Sequence, residues 1–246
     1  MRSPRVAEIL SVIAARGDGQ DSATLPARLG AECLSALPVS GVGVALMTAE
    51  GPSGVVLAAT DERARQLEEL QFALGEGPCV DASGSGRPVL QPDLAADGSA
   101  RWPGFGAAVL DAGVHAIFAF PLRVGAIRVG VLDLYRDTPG SLSALDLADA
   151  LAFAEAATVV VLHLQDHDEH GGSALTGPID GQAAVHQATG MITVQLGVSL
   201  AEALLRLRAH AYTTGRTVSA VAADVVNRRL RFDDGEPGTT TQRDRP

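Results

Sequence analysis

The 246-residue sequence predicts an α+β chain in two parts, a body of strands interleaved with helices up to about residue 168 and three short helices near the end. Two observations predict this. Apolar runs of strand length recur at 42–47, 55–59, 115–120 and 127–135, separated by stretches with helical spacing. From Asp180 onward the period changes for good: three apolar stripes of 3.6 periodicity follow, divided by Gly197 and by Thr213-Thr214-Gly215.

Residues 5–16 and 23–37 read as two helices, with Ile9, Val12 and Ile13 on one face of the first and Leu25, Leu29, Cys33, Leu34 and Leu37 on a stripe of the second. Gly17-Asp18-Gly19-Gln20-Asp21 breaks them. Val42–Met47 and Val55–Ala59 form a predicted hairpin around Gly51-Pro52-Ser53-Gly54. A helix follows over Glu62–Phe72, then a turn-rich Leu74–Ala82 leading to a short helix, and a short strand at Pro88-Val89-Leu90. Trp102–Ala112 reads as one helix, with Trp102 and Phe105 as core residues rather than cavity lining. His115–Phe120 and Ile127–Tyr135 complete the sheet.

A helix from Ser143 through Leu162 is apolar on more than one face and asks for a partner beyond its own sheet. His163, His167 and His170 share one face at its end; a solvated helix terminus explains them, and no metal is expected. Gly171–Pro178 reads as a joint. Ser199-Leu200-Ala201-Glu202 is a capping box for the second of the late helices, and Thr217 caps the third. The segment after Asp234 has the composition of a disordered tail.

Composition excludes several chemistries. The chain has no lysine, so it carries no P-loop, protein-kinase, pyridoxal or phosphoacceptor receiver site of standard form. No nucleophile elbow, zinc-ligand spacing or paired-carboxylate frame is recognisable, and the chain is read as a non-enzyme. Two distant cysteines, the lack of a signal peptide and the lack of an apolar run long enough for a membrane span give the expectation of a cytoplasmic protein. Residues 178–232 carry six Arg against three acids, or +3, whereas residues 1–177 carry eleven Arg against twenty-two acids, or −11. A basic end on an acidic body suits a polyanionic partner there.

Ala188-Thr189-Gly190-Met191-Ile192, Ala203 with Leu207-Arg208 and Ala211, and Val221-Ala222 with Val225-Val226 resemble the ANTAR family of bacterial RNA-binding antitermination modules. Thr189 stands where many relatives carry Lys. Gly75-Glu76-Gly77-Pro78-Cys79, Phe120-Pro121-Leu122 and Gly130–Tyr135 resemble a GAF domain, which implies a central antiparallel sheet flanked by helices and, in many members, a small-molecule ligand over one sheet face; the ligand here stays unidentified. The organisation that follows is an N-terminal arm at 1–21, a GAF sensor at 22–168 ending in a dimerising helix, a linker at 169–177, an ANTAR bundle at 178–232 and the tail at 233–246. The resemblance implies a homodimeric, signal-responsive regulator that binds stem-loops in nascent transcripts, prevents termination and meets the transcribing RNA polymerase only indirectly. The alternative is a GAF ligand- or redox-sensing protein whose helical end binds DNA or a protein partner.

The RNA-contact candidates come from partner counting. Arg206 and Arg228 each follow an acid by four, a favourable helical ion pair, whereas Arg208, Arg216, Arg229 and Arg231 lack one and are expected at RNA. His186, Gln187, Thr189 and Gly190 join them on the first helix, where Gly190 costs roughly 1 kcal/mol of helix propensity relative to Ala. Cys79, expected at a helix start where the dipole favours a thiolate, is the candidate redox sensor, with a small residue filling a tight turn as the blander alternative.

Overall fold

A computed structural model of the chain describes residues 3–15, 24–48, 51–169 and 176–233. It divides into two compact units, Met1–Thr176 and Gly177–Pro246.

The first unit is built on an antiparallel sheet of five strands in the order β2-β1-β5-β4-β3: β1 Gly41–Thr48, β2 Gly51–Ala59, β3 Val89–Gln91, β4 Ala116–Val124 and β5 Ile127–Arg136. Side chains alternate across it. Ile117, Ala119, Val131 and Tyr135 join a core with Leu67, Cys79, Leu94, Trp102, Phe105 and Val109, from α3 Glu62–Leu74, α4 Pro78–Ser85, α5 Leu94–Arg101 and α6 Pro103–Asp111. The opposite face, with Phe118, Phe120, Leu132 and Leu134, packs on α2 Leu25–Ala36 and α7 Ala144–Glu169, and α1 Pro4–Ala15 packs on those two helices. Burial on both faces explains why 116–122 reads as a nearly unbroken apolar run.

Two sequence expectations change. The 102–112 segment is not one helix. Pro103 pushes Trp102 out of helical geometry (φ −131°, ψ 85°), and Asp93 caps a separate α5 by accepting from Ala95 N at 3.0 Å. Gly51–Gly54 is strand rather than turn: Thr48 pairs with Gly51 and Met47 with Pro52, which β2 tolerates as an edge strand. The expected glycine-rich break at 17–21 lies outside the described residues.

Ser143 and Asp146 cap α7 reciprocally, each backbone N–H meeting the other's side chain at 3.1–3.2 Å. Arg5 of α1 grips Asp149 with two bonds of 3.0 and 3.3 Å, so α1 and α2 supply part of the partner that α7 needs. Contrary to the sequence expectation, Ala144–Asp166 is long and apolar enough to cross a membrane, yet half of it is buried within the unit, as in the core helix of a globular fold. Leu145, Leu151 and Leu162 remain exposed on it.

The second unit contains α8 Thr176–Leu196, α9 Leu200–Thr213 and α10 Val218–Val226. Val185, Ala188, Ile192, Ala203, Leu207, Ala211, Val218, Val221, Ala222 and Val225 close its core. Ser199 Oγ accepts from Glu202 N at 3.2 Å and Thr217 Oγ1 from Ala220 N at 3.1 Å. Glu202 turns its carboxylate to Arg206 at 3.2 Å. Leu200, which helical spacing aligns with the buried Ala203, Leu207 and Ala211, is 62% exposed. The side chain of His167, residue His170, most of the expected joint and the tail after Asp233 lie outside the described residues.

Candidate functional site

The helical unit carries a shallow groove in which Met191, Val194 and Gln195 of α8 face Arg228, Arg229 and Arg231 beyond α10. A second depression on α8 continues it past Gln187 and Gly190. Its apolar floor is unusually open: Val194 is 84% exposed. A Cβ built on Gly190 meets nothing within 4 Å, so no intramolecular contact among the described residues requires glycine there.

The turn after α10 is held firmly. Arg228 N donates to Val225 O at 3.0 Å and Arg229 N to Asp224 O at 2.8 Å, the two bonds of a Schellman ending. Arg228 takes its left-handed position, with φ +58°, where glycine is the usual residue. Phe232 N donates to Gln195 Oε1 at 3.0 Å, and its ring stands edge-on to His210 at 5.5 Å. The arginines are therefore presented on a fixed loop.

The partner counting is overturned in detail. Asp224 does not hold Arg228, because the left-handed backbone swings that side chain off the helix. It pairs instead with Arg216 at 2.6 Å and Arg229 at 2.7 Å, whose hydrogen bonds lower its pKa. Arg231 pairs with Asp233 at 3.3 Å. Arg216, Arg229 and Arg231 thus have partners that no intrahelical spacing reveals, while Arg228 has no ion pair among the described residues. Arg208 is half-buried on α9, and burial lowers its pKa. Thr189 is turned inward at 7% exposure, its hydroxyl donating to Val185 O at 2.7 Å, so it lies off the outer face. His186 and Gln187 are exposed on α8 as expected.

In the first unit, Cys79 is the second residue of α4, at a helix start as expected, but 1% exposed. Burial, with Asp133 and Glu68 nearby, pushes its thiol pKa well up, against the thiolate that the helix start favours. Gln71 ties its surroundings together, accepting from Cys79 N and donating to Asp133 Oδ2, both at 2.8 Å. Gly77, at φ +131°, lets the chain pass Gln71, whose Oε1 would lie 2.6 Å from any Cβ there. Tyr135 OH donates to Glu68 Oε1. Gly43 makes room for that carboxyl: a Cβ would sit 2.0 Å from it. Sequence reasoning missed Glu68, Gln71 and Asp133. Its available signal was an Asp in the middle of the apolar run Val131-Leu132-Asp133-Leu134-Tyr135.

A five-stranded antiparallel sheet covered by helices, followed in the chain by three helices and an arginine-rich turn, defines a two-unit chain of a sheet domain and a small helical domain. Family models agree: the GAF domain matches residues 27–161, more than half of the chain, and the ANTAR domain matches residues 174–226. The chain belongs to the GAF domain family and has the GAF-ANTAR architecture, in which a sensor domain precedes an RNA-binding antitermination regulator domain. No curated protein matches it. The structure is similar to the GAF domain of a phosphoenolpyruvate-protein phosphotransferase from Coxiella burnetii, at TM-score 0.52 and 14% identity over 68% of this chain and 99% of that one. The corresponding domain from Acinetobacter gives 0.49 and 11% over 66% and 93%, and the free methionine-R-sulfoxide reductase of Neisseria meningitidis gives 0.44 and 18% over 64% and 86%. Likeness at this identity shows the fold alone.

Proposed function

We propose that this chain is a signal-responsive RNA-binding regulator of the bacterial cytoplasm that holds stem-loops of nascent transcripts on its helical unit and so prevents termination. It has no catalytic activity of its own, and it meets RNA polymerase only through the transcript. The observation that carries this reading is the groove: an uncovered strip of α8 around Gly190 and Val194 beside a rigid turn that displays Arg228, Arg229 and Arg231. A stem-loop offers splayed bases to the apolar strip and phosphates to the arginines. Arg228 is the chief new contact, with Arg229, Arg231, Arg216, His186, Gln187 and Gly190 around it; Arg208 belongs to the same proposed set, while Thr189 supports the helix from inside.

Two chains pair through the exposed leucines of α7, and paired output units add avidity for paired stem-loops. The state of the GAF domain sets that pairing or the geometry of α7, and thereby RNA affinity. A gel shift with stem-loop RNA against duplex DNA of the same sequence tests the output. Binding to the RNA, weakened by Arg228→Ala, is expected. Tight binding to duplex DNA alone, or to neither, rejects the reading. Sedimentation of the full chain tests the pairing: a monomer at high concentration with RNA affinity intact excludes dimer gating.

A further inference from the structure

The sensor unit contains a buried cluster that the output reading does not use. Glu68 of α3, Cys79 of α4 and Asp133 of β5 place one donor atom each within 4.8 Å of one another. They are 3%, 1% and 0% exposed. No guanidinium or imidazole pairs with either carboxyl among the described residues, and the chain has no lysine to do so. The groups that reach them are neutral, Gln71 Nε2 on Asp133 Oδ2 and Tyr135 OH on Glu68 Oε1, and the two carboxyls also hydrogen-bond to each other. Asp133 Oδ1, fully buried in the same cluster, accepts from no N–H of the protein. Two carboxyls and a thiol sealed away from water without a counter-charge are costly, and only protons or a cation relieve them.

We propose that Glu68, Cys79 and Asp133 form a binding site for one divalent transition cation of the zinc type. Three features support this. The donor set is a thiol with two carboxyls, which suits a borderline-soft ion and disfavours magnesium or calcium. Donors at bonding distance from such an ion stand about 3.5 Å apart in tetrahedral geometry, so contraction by at most about 1.3 Å from 4.8 Å closes the site. The surroundings are those of a held ligand shell. Gln71 orients Asp133 and fixes the backbone at Cys79, while Tyr135 orients Glu68. On binding, the Cys79 S–H proton and the proton hydrogen-bonded between the two carboxyls pass to solvent, and the dication replaces them. Occupation ties α3, α4 and β5 together at the centre of the sensor fold. The proposal rests on the first unit alone and stands or falls independently of RNA binding.

The test uses the chelator-treated full chain titrated with Co2+ as a spectroscopic probe. The expected result is one bound Co2+ with a thiolate-to-cobalt charge-transfer band, displaced by Zn2+ and retained in Cys33→Ala. The band is lost in Cys79→Ala, and affinity falls by roughly 100-fold or more in Asp133→Asn. Circular dichroism verifies that each variant is folded, and Glu68→Gln, which keeps an acceptor for Tyr135, replaces any that is not. A folded wild-type chain without the band overturns the proposal. So does a band that survives Cys79→Ala or depends on Cys33.

Discussion

Replacing Arg228 by glycine separates the structural from the functional reasons for the residue. At φ +58° an L side chain costs roughly 1–2 kcal/mol, a strain that glycine does not feel. Glycine in turn gives the unfolded chain more freedom, which costs about 0.4–1 kcal/mol. The turn's own bonds, Arg228 N to Val225 O and Arg229 N to Asp224 O, are backbone bonds that glycine retains, and no ion pair is lost among the described residues. Arg228→Gly is therefore expected to stabilise the helical unit by about 0.5–1 kcal/mol, a rise in Tm of about 2–8 °C for a unit of this size. The same change removes the cation beside Val194 and weakens stem-loop binding by about 1–3 kcal/mol, or roughly 5- to 150-fold. Hydrogen exchange of the α9 and α10 amides reads the stability, and a filter-binding titration reads the affinity. A variant that is less stable, or that binds RNA as well as the wild type, refutes the reasoning that the strain is kept for RNA.

Gly190→Ala meets no atom within 4 Å and should stabilise α8 by about 1 kcal/mol in thermal melts, while RNA affinity falls; unchanged affinity would show that nothing approaches that backbone. Asp133 is pushed up to about 7 from 3.8 chiefly by burial, so between those values the folded chain holds a proton that the unfolded chain has lost. Its contribution is complete below about pH 4 and lost as pH rises to about 7, up to about 4 kcal/mol, and Asp133→Asn should remove this loss; urea midpoints of both proteins at about pH 5 and pH 8 check the sign. Glu76 Oε1 accepts from Gly104 N at 2.6 Å and Phe105 N at 2.7 Å, capping α6 from another element, and Glu76→Ala should cost about 2 kcal/mol in denaturant unfolding. Arg206→Ala breaks only an exposed pair with Glu202 and should cost less than about 1 kcal/mol in stability and in RNA affinity, whereas Arg208→Ala, at a half-buried stem, should lower both, the affinity by about 1–3 kcal/mol; the reverse order in RNA affinity would defeat the assignment.

Local signals were legible from the sequence because their causes lie within a few residues. Ser199 and Thr217 cap the helices they precede, Gly197 and Gly215 follow α8 and α9, and the apolar runs became β1, β4 and β5. The absence of lysine and the basic end likewise needed no coordinates. What the sequence did not reveal depends on residues far apart in the chain. Asp224 is a partner of Arg216 eight residues away and of Arg229 five away, spacings that no helical rule names, and Arg228 was lost to it by the sign of one backbone angle. Thr189 and Cys79 both sit where their local motifs suggest exposure or activation, and both are turned inward by the packing of neighbouring elements. Glu68, Cys79 and Asp133 come from two helices and a strand separated by up to 65 residues, and only the closing of α3 and α4 over β5 brings their donors within 4.8 Å. Periodicity and capping are short-range physics written in order along the chain; burial, counter-charge and strain are set by whichever distant atoms the fold brings alongside.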